Sequence, residues 1–425
     1  MRKLPRCGLV ALLAFASLPP LEAQQPSAIV LGIADGTSQE LLTAARIYSV
    51  GAEGKLALES LPQTAIMRTF SASDLVTDSS AGATAFARGI KADNRVVGQA
   101  AKDSSSSPPS LLDLARNAGW STAVITDDSV TGGTPSPFLV ESPEREKHAE
   151  IAAKMVDALG SRADIVLGGG SQWFSDRSEQ PWTKYKDNEK AIATETGKRL
   201  RSLPVDVFDS WDQFVGITGS ETKARPILGT FAETEFPYFA DGARKLRLLD
   251  MVQKTVEILR ARGKPFLIIF EAALPDKACH LNNAKRAIVE VLEFDATLAW
   301  LKENLGPDAL IIGTTDHNNG GFTINGPPTP IRWKGDALLQ TNPVTGQSIL
   351  TWASGPGFDR TSTNATLSVT DPAYTQPALL PAKSAHHSGG DVWLLGAGPG
   401  SERIRGFLDN TDVYKIIADA ITPAK

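Results

Sequence analysis

The sequence predicts an α/β chain: a three-layer sandwich with a mainly parallel central sheet, helices on both faces and a small inserted irregular β lobe. Three observations lead there. Apolar runs of strand length alternate with helix-forming segments along most of the 425 residues, as parallel strands joined by helical crossovers require. These runs are apolar at successive positions, so both faces of the sheet are covered. Acidic residues stand at or just past the ends of several runs, where open α/β sheets gather their ligands.

Residues 1–23 carry Arg2, Lys3 and Arg6, an apolar stretch from Leu9 to Leu18, and then Leu21-Glu22-Ala23. That is the layout of a secretory signal peptide cut after Ala23, and its apolar part is too short to span a bilayer comfortably. A secreted or periplasmic protein is expected, with residues 24–425 as one domain and no membrane span. Removal of three basic residues and one acidic residue moves the formal charge from −5 to −7. With no basic run, that balance argues against nucleic acid as a partner. Cys279 is then the only cysteine of the exported chain, so no internal disulfide can form.

The first apolar run, Ala28 to Ala34, ends in the turn Asp35-Gly36-Thr37-Ser38 and is followed by a helix from Gln39 to Tyr48. The stretch Leu75 to Thr84 leads into Ala85-Phe86-Ala87-Arg88-Gly89, an Ala-rich helix closed by glycine. Asp78 or Ser79 then sits at the helix N-terminus, where free N–H groups and the dipole favour an anion. Asp and Ser are also ordinary N-cap residues. A serine there becomes a nucleophile only with a base or a metal to activate it.

Further helices are expected over 110–118, 147–159, 244–262, 283–305 and 412–421, and strands over 121–125, 163–167, 265–270, 309–313 and 391–395. Gly168-Gly169-Gly170 lacks the Lys-Ser/Thr of a phosphate loop and reads as a tight turn. The segment 204–239 reads as an irregular surface excursion. The segment 320–384, rich in Thr, Pro, Asn and Gly, reads as the inserted β lobe near the site.

Three clusters carry the chemistry. Glu271, Asp276 and His280 follow the strand ending at Phe270, and Asp276 and His280 share a face if that segment is helical. Asp316-His317 follows the next strand, and His386-His387 precedes the last. Carboxylates and imidazoles suit a hard or borderline divalent cation, and with Asp35 the supply exceeds one ion. Two metals beside a serine at a helix N-terminus suit phosphoryl transfer, with an arginine to grip the phosphoryl oxygens in bidentate fashion. Arg145 and Arg88 are both candidates for that grip.

Val76-Thr-Asp-Ser-Ser-Ala-Gly-Ala-Thr84 resembles the signature of the alkaline phosphatase family at every position, and the likeness runs in order from the Asp35 turn to the His387 turn. The resemblance implies a metal-dependent phosphomonoesterase, acting on small phosphate monoesters through a phosphoseryl intermediate on Ser79. A phosphodiesterase or sulfatase-like hydrolase of the same superfamily is the nearest alternative, and a silent metal- or phosphate-binding envelope protein a more distant one. The resemblance assigns Asp276, His280 and His387 to one Zn2+, and Asp35, Asp316 and His317, with Ser79, to a second. Asp35, Glu271 and Thr134 would hold one Mg2+. Arg145, eleven residues after Thr134, matches the phosphate-gripping arginine.

Several positions depart from the family. Gly132 stands where an acidic residue or histidine is usual, which weakens the expected magnesium site. Ala34, Thr37 and Ala272 replace the usual residues beside Asp35 and Glu271, and Pro275 stiffens the approach to Asp276. Lys277 either reaches phosphate through a water or is solvated. His148, His386, Cys279 and Asp295 read as structural or surface residues. Relatives are often homodimers, and no interface can be read from this sequence.

Overall fold

The structure is a computed structural model that describes residues 25–101, 107–175, 187–218, 225–326, 334–341, 348–359 and 366–422. The expected signal peptide lies outside these residues. Along the chain come β1 (Ala28–Ala34), α1 (Gln39–Val50), β2 (Gln63–Arg68), α2 (Ser79–Arg88), α3 (Leu111–Asn117) and β3 (Ser121–Ser129). Next are α4 (Ser136–Leu139), α5 (His148–Ala158), β4 (Ile165–Gly169), α6 (Asp187–Ser202), β5 (Asp206–Phe208), α7 (Trp211–Val215) and β6 (Ile227–Thr230). They are followed by α8 (Leu248–Ala261), β7 (Phe266–Ala272), α9 (Leu274–His280), α10 (Ala284–Leu305) and β8 (Ala309–Thr314). After β9 (Asn318–Asn319), β10 (Thr323–Ile324), β11 (Leu350–Gly355), β12 (Ala378–Pro381) and β13 (His387–Ser388), the chain returns as β14 (Val392–Ala397) and β15 (Arg405–Asp409). A helix over Thr411–Ile421 closes it.

Ten strands form one sheet in the order β15-β2-β14-β8-β1-β7-β3-β4-β6-β5. All neighbours are parallel except β14, which runs antiparallel to both β2 and β8. The two-faced burial expected of β1 is visible residue by residue. Val30 and Ala34 join α1, α8 and α10 in one apolar cluster, whereas Ile29, Leu31 and Ile33 join α2, α3, α5 and the closing helix in the other. Alternating side chains of one strand thus nail together the two helical layers. Segment 320–384 contains a three-stranded sheet, β10-β11-β12, and parts of that segment lie outside the described residues.

Two expectations on the sheet are corrected. Segment 204–239 is not merely an excursion: it supplies β5 and β6, with β6 buried and paired to β4. Its run Ile-Leu-Gly-Thr is too short to show a period, and only the neighbouring β4 makes it a strand. The edge strand β15 was not anticipated, because Arg405, Gly406 and Phe407 are exposed and carry no apolar pattern. Helix α6 has no counterpart among the expected elements, and elsewhere boundaries move by up to four residues, as at the start of α8 and at the end of β3, which runs on through Asp127 and Asp128 to Ser129.

The central strands β8, β1, β7 and β3 run side by side in the same direction. Asp316-His317, Asp35, Glu271 and the β3–α4 turn with Thr134 therefore emerge at one edge of the sheet. That is where the site forms.

Candidate active site

Ser79 opens α2, with Asp78 as N-cap accepting from Ala81 N at 3.0 Å. The hydroxyl is buried, and its Oγ lies 3.2 Å from His317 Nε2. Around that nitrogen stand Asp35 Oδ1 at 3.5 Å and Asp316 Oδ2 at 3.4 Å. Both oxygens are buried and neither receives a hydrogen bond. Asp316 Oδ1, by contrast, accepts from the backbone N–H of Gly36 and His317. Burial, then the charges of Asp316, Asp276 and Glu271, pushes the Asp35 carboxyl well up, and burial pushes Asp316 up to about 7. Two buried, donorless carboxylate oxygens around one imidazole form a donor set that a cation satisfies.

His317 does not complete a serine–histidine–carboxylate triad. Its Nδ1 is buried without a hydrogen-bond partner, so nothing orients the ring as a general base. Burial, then His387, holds its pKa well below the usual histidine value, and the neutral ring keeps a lone pair for a metal.

A second set lies alongside. α9 places Asp276 and His280 one turn apart, with His280 Nε2 3.1 Å from Asp276 Oδ2. The His387 Nε2 is 3.3 Å from His280 Nε2 and 3.8 Å from Asp276 Oδ1. The other nitrogens face backbone carbonyls: His280 Nδ1 is 2.6 Å from Ala385 O and His387 Nδ1 is 3.1 Å from Thr77 O. In the tautomer with Nδ1 donating in each ring, both Nε2 atoms keep a lone pair beside Asp276, a donor set that a shared cation would satisfy. Asp276, His317 and His387 also offer ligand atoms within 4.8 Å of one another, so the two sets adjoin. Pro275 occupies the first turn of α9, where a missing N–H is harmless. Gly36 (φ 67°) lets the Asp35 turn pass against Asp276, whose Oδ1 would lie 2.5 Å from a Cβ there.

The third expected set also converges. Thr134 Oγ1 donates to Asp35 Oδ2 at 3.3 Å, and Thr126 Oγ1 donates to Glu271 Oε2 at 2.5 Å. Burial, then the charge of Asp128, pushes the Glu271 carboxyl up to about 8.

Arg145 Nη1 donates to Asp78 Oδ2 at 2.9 Å, beside Ser79. Its guanidinium lies over Gly133, where a Cβ would approach Cζ and Nη2 to 2.7 Å. Arg88, the other candidate, is buried away from the set, with Nη1 donating to Pro108 O and pairing with Glu141. Of the two, Arg145 is the one placed beside Ser79. Lys277 pairs with Asp128 at 3.2 Å and with Glu235 at 3.9 Å, so it is not simply solvated. His148 stacks on Trp173, His386 is exposed, and Cys279 is buried beside the site. Asp295 accepts from the N–H groups of Ala57 and Leu58.

Residues without a predicted role also enter the site. Asn319 Nδ2 donates to Asp276 Oδ1 at 2.6 Å. Asp127 accepts from Ala273 N at 2.7 Å, within the segment joining Glu271 to Asp276. The Asp127-Asp128 pair, two more carboxylates near the end of β3, is the sequence signal for these contacts.

A model of the alkaline phosphatase family matches residues 27–422. The chain belongs to this family. Its members hydrolyse phosphate monoesters and depend on metals. The human tissue-nonspecific alkaline phosphatase is 25% identical over 92% of this chain and 83% of its own length. The alkaline phosphatase of Gadus morhua is 26% identical over 95% and 93%. Among solved structures, alkaline phosphatase from the Antarctic bacterium TAB5 superposes with a TM-score of 0.70 at 23% identity, covering 95% of this chain and all of that one. This alkaline phosphatase thus shares the family's fold across its described length. No described helix is long and apolar enough to cross a membrane.

Proposed function

We propose that this alkaline phosphatase is exported after loss of residues 1–23 and hydrolyses small phosphate monoesters with two zinc ions and a covalent phosphoseryl intermediate on Ser79. The observation that carries the reading is Ser79 Oγ at the α2 N-terminus, 3.2 Å from His317 Nε2 and beside two donorless buried carboxylate oxygens. Asp35, Asp316 and His317 would hold one zinc and Asp276, His280 and His387 the other. When bound, the pair would supply a lowered pKa for the attacking oxygen and neutralisation of the leaving one.

The chain's own residues account for the rest. Ser79 Oγ attacks phosphorus in line; the Ser79 O–P bond forms as the bond to the substrate alcohol breaks. The free N–H groups at the start of α2 face the phosphoryl oxygens with favourable dipole. Arg145, steadied by Asp78, grips two of them. Water then attacks the phosphoserine, and Ser79 leaves with its oxygen. Magnesium, which a solved variant of the TAB5 enzyme binds, would be held here by Asp35, Thr134 and Glu271.

The test is turnover of an aryl phosphate and an aryl diester by chelated protein, before and after zinc is restored. Zinc-restored turnover that favours the monoester is expected, with a phosphoryl group trapped on Ser79 and visible by mass. Ser79→Ala should abolish both. A variant that keeps full turnover removes the nucleophile assignment, and diester preference removes the substrate class.

A further inference from the structure

We propose that Asp128 stands in, from four residues upstream, for the side chain that Gly132 lacks, and completes the third divalent-cation site with Asp35, Thr134 and Glu271. The inference rests on the metal-dependent reading above. It reverses the expectation that glycine at position 132 leaves the third site weak.

The space is the first evidence. A Cβ built on Gly132 would lie 3.0 Å from Ser129 O and 3.2 Å from Asp128 Oδ2, so the Asp128 carboxylate borders the space that a side chain at 132 would enter. The second is strand register. Ile33 of β1 and Thr126 of β3 both pair with Glu271 of β7, so Asp35 and Asp128 each follow two residues later in sequence on strands flanking β7, Asp128 within the stretch where the β3–β4 register shifts. Successive side chains at the end of β3 then part. Asp127 turns to the buried Arg244 and to Ala273 N, whereas Asp128 turns to Gly132 and Lys277.

Two contacts hold Asp128 there. Its N–H donates to Thr126 Oγ1 at 3.0 Å, and that hydroxyl donates to Glu271 Oε2. Lys277 Nζ meets Asp128 Oδ1 at 3.2 Å, while Oδ2 is the atom on the Gly132 side. One ammonium, shared with Glu235, pairs with Asp128, while the charge of Asp128 acts on Glu271 and that of Glu271 on Asp35. That leaves an excess of negative charge in a mostly buried place. The donors are all oxygen, carboxylates and one hydroxyl, which suits magnesium in preference to zinc. Because magnesium gives up its water reluctantly, Asp128 can serve by accepting hydrogen bonds from retained waters without touching the ion. It is a positioning residue for the cation, not a catalytic one.

Magnesium is titrated calorimetrically into zinc-loaded protein, with zinc content measured in each sample. The wild type should take up one magnesium ion. Asp128→Asn keeps the shape and the hydrogen-bond acceptor for Lys277, and should weaken uptake by about tenfold or more, in the range expected for outer-sphere partners, with zinc content unchanged. Moving the carboxylate to position 132, in the double variant Asp128→Ser/Gly132→Asp, should restore affinity to within about threefold of the wild type. Asp128→Asn within a factor of about two of wild type would overturn the proposal, as would a double variant no better than Asp128→Asn. Wild-type protein with two zinc ions, full turnover and no magnesium uptake would overturn this proposal alone. Failure to take up zinc or to turn over would overturn the phosphatase reading with it.

Discussion

Removing Arg244 tests whether the carboxylates behind the site are held by a buried cation. Its guanidinium is buried, with Nη1 3.3 Å from Asp127 Oδ2 and 3.4 Å from Glu290 Oε2. At an effective dielectric of about 20, each contact is worth roughly 5 kcal/mol before desolvation. Desolvation takes back most of this, yet deleting one partner of a buried pair still costs about 3–5 kcal/mol. Glu290 lowers the expected figure. Burial, then Asp127, pushes its carboxyl up to about 8, so near neutrality it can stay protonated when the arginine is gone. Arg244→Met should therefore cost about 3 kcal/mol at pH 7, chiefly through Asp127.

The sign with pH follows. A carboxyl whose folded pKa is raised binds more protons folded than unfolded, so stability falls as pH rises between its unfolded value and about 8. Loss of Arg244 raises that pKa further and carries the decline to higher pH. The deficit of Arg244→Met against wild type should thus be larger at pH 9 than at pH 6. Urea midpoints of metal-loaded protein at both pH values measure it. A deficit under about 1 kcal/mol, or one that shrinks as pH rises, would refute the account.

Gly133→Ala puts a methyl 2.7 Å from the Arg145 guanidinium, which must then leave its position. The inhibition constant for inorganic phosphate should rise about tenfold, ~1.4 kcal/mol, and an unchanged constant would show that the arginine does not grip phosphate from there. Asn319→Leu removes the 2.6 Å hydrogen bond to Asp276 Oδ1. Zinc affinity, read by chelator competition, should fall about 10–100-fold, and unaltered competition would mean that Asp276 needs no orientation.

The candidate metal ligands are legible in sequence for a local reason. Asp35, Glu271, Asp276, Asp316 and His317 each stand within a few residues of the end of a long apolar strand, with His280 one helical turn past Asp276, and a strand buried on both faces announces itself as an uninterrupted run. β1, β7 and β8 were read from such runs with ends within two residues of those observed. The serine was legible too, because small residues and a closing Gly89 outline α2. Short or exposed elements were not. β6 and β15 become strands through their neighbours β4 and β2, and no local pattern marks them.

Sequence by itself thus determined the fold class, the order of the strand-end clusters and the residue types that could ligate metal. Chain order cannot say which clusters meet, and tertiary structure decided that. It set β8, β1, β7 and β3 side by side, turned α9 so that Asp276 faces His387, and separated Arg145 from Arg88. It also decided the partners of the ligands. Asn319, Asp127 and Asp128 act across strand or helix boundaries, through distances that depend on packing on both faces of the sheet. The position left empty by Gly132 looks like a loss along the chain. In three dimensions the Asp128 carboxylate borders it, because packing is set by distance in space and not by sequence position.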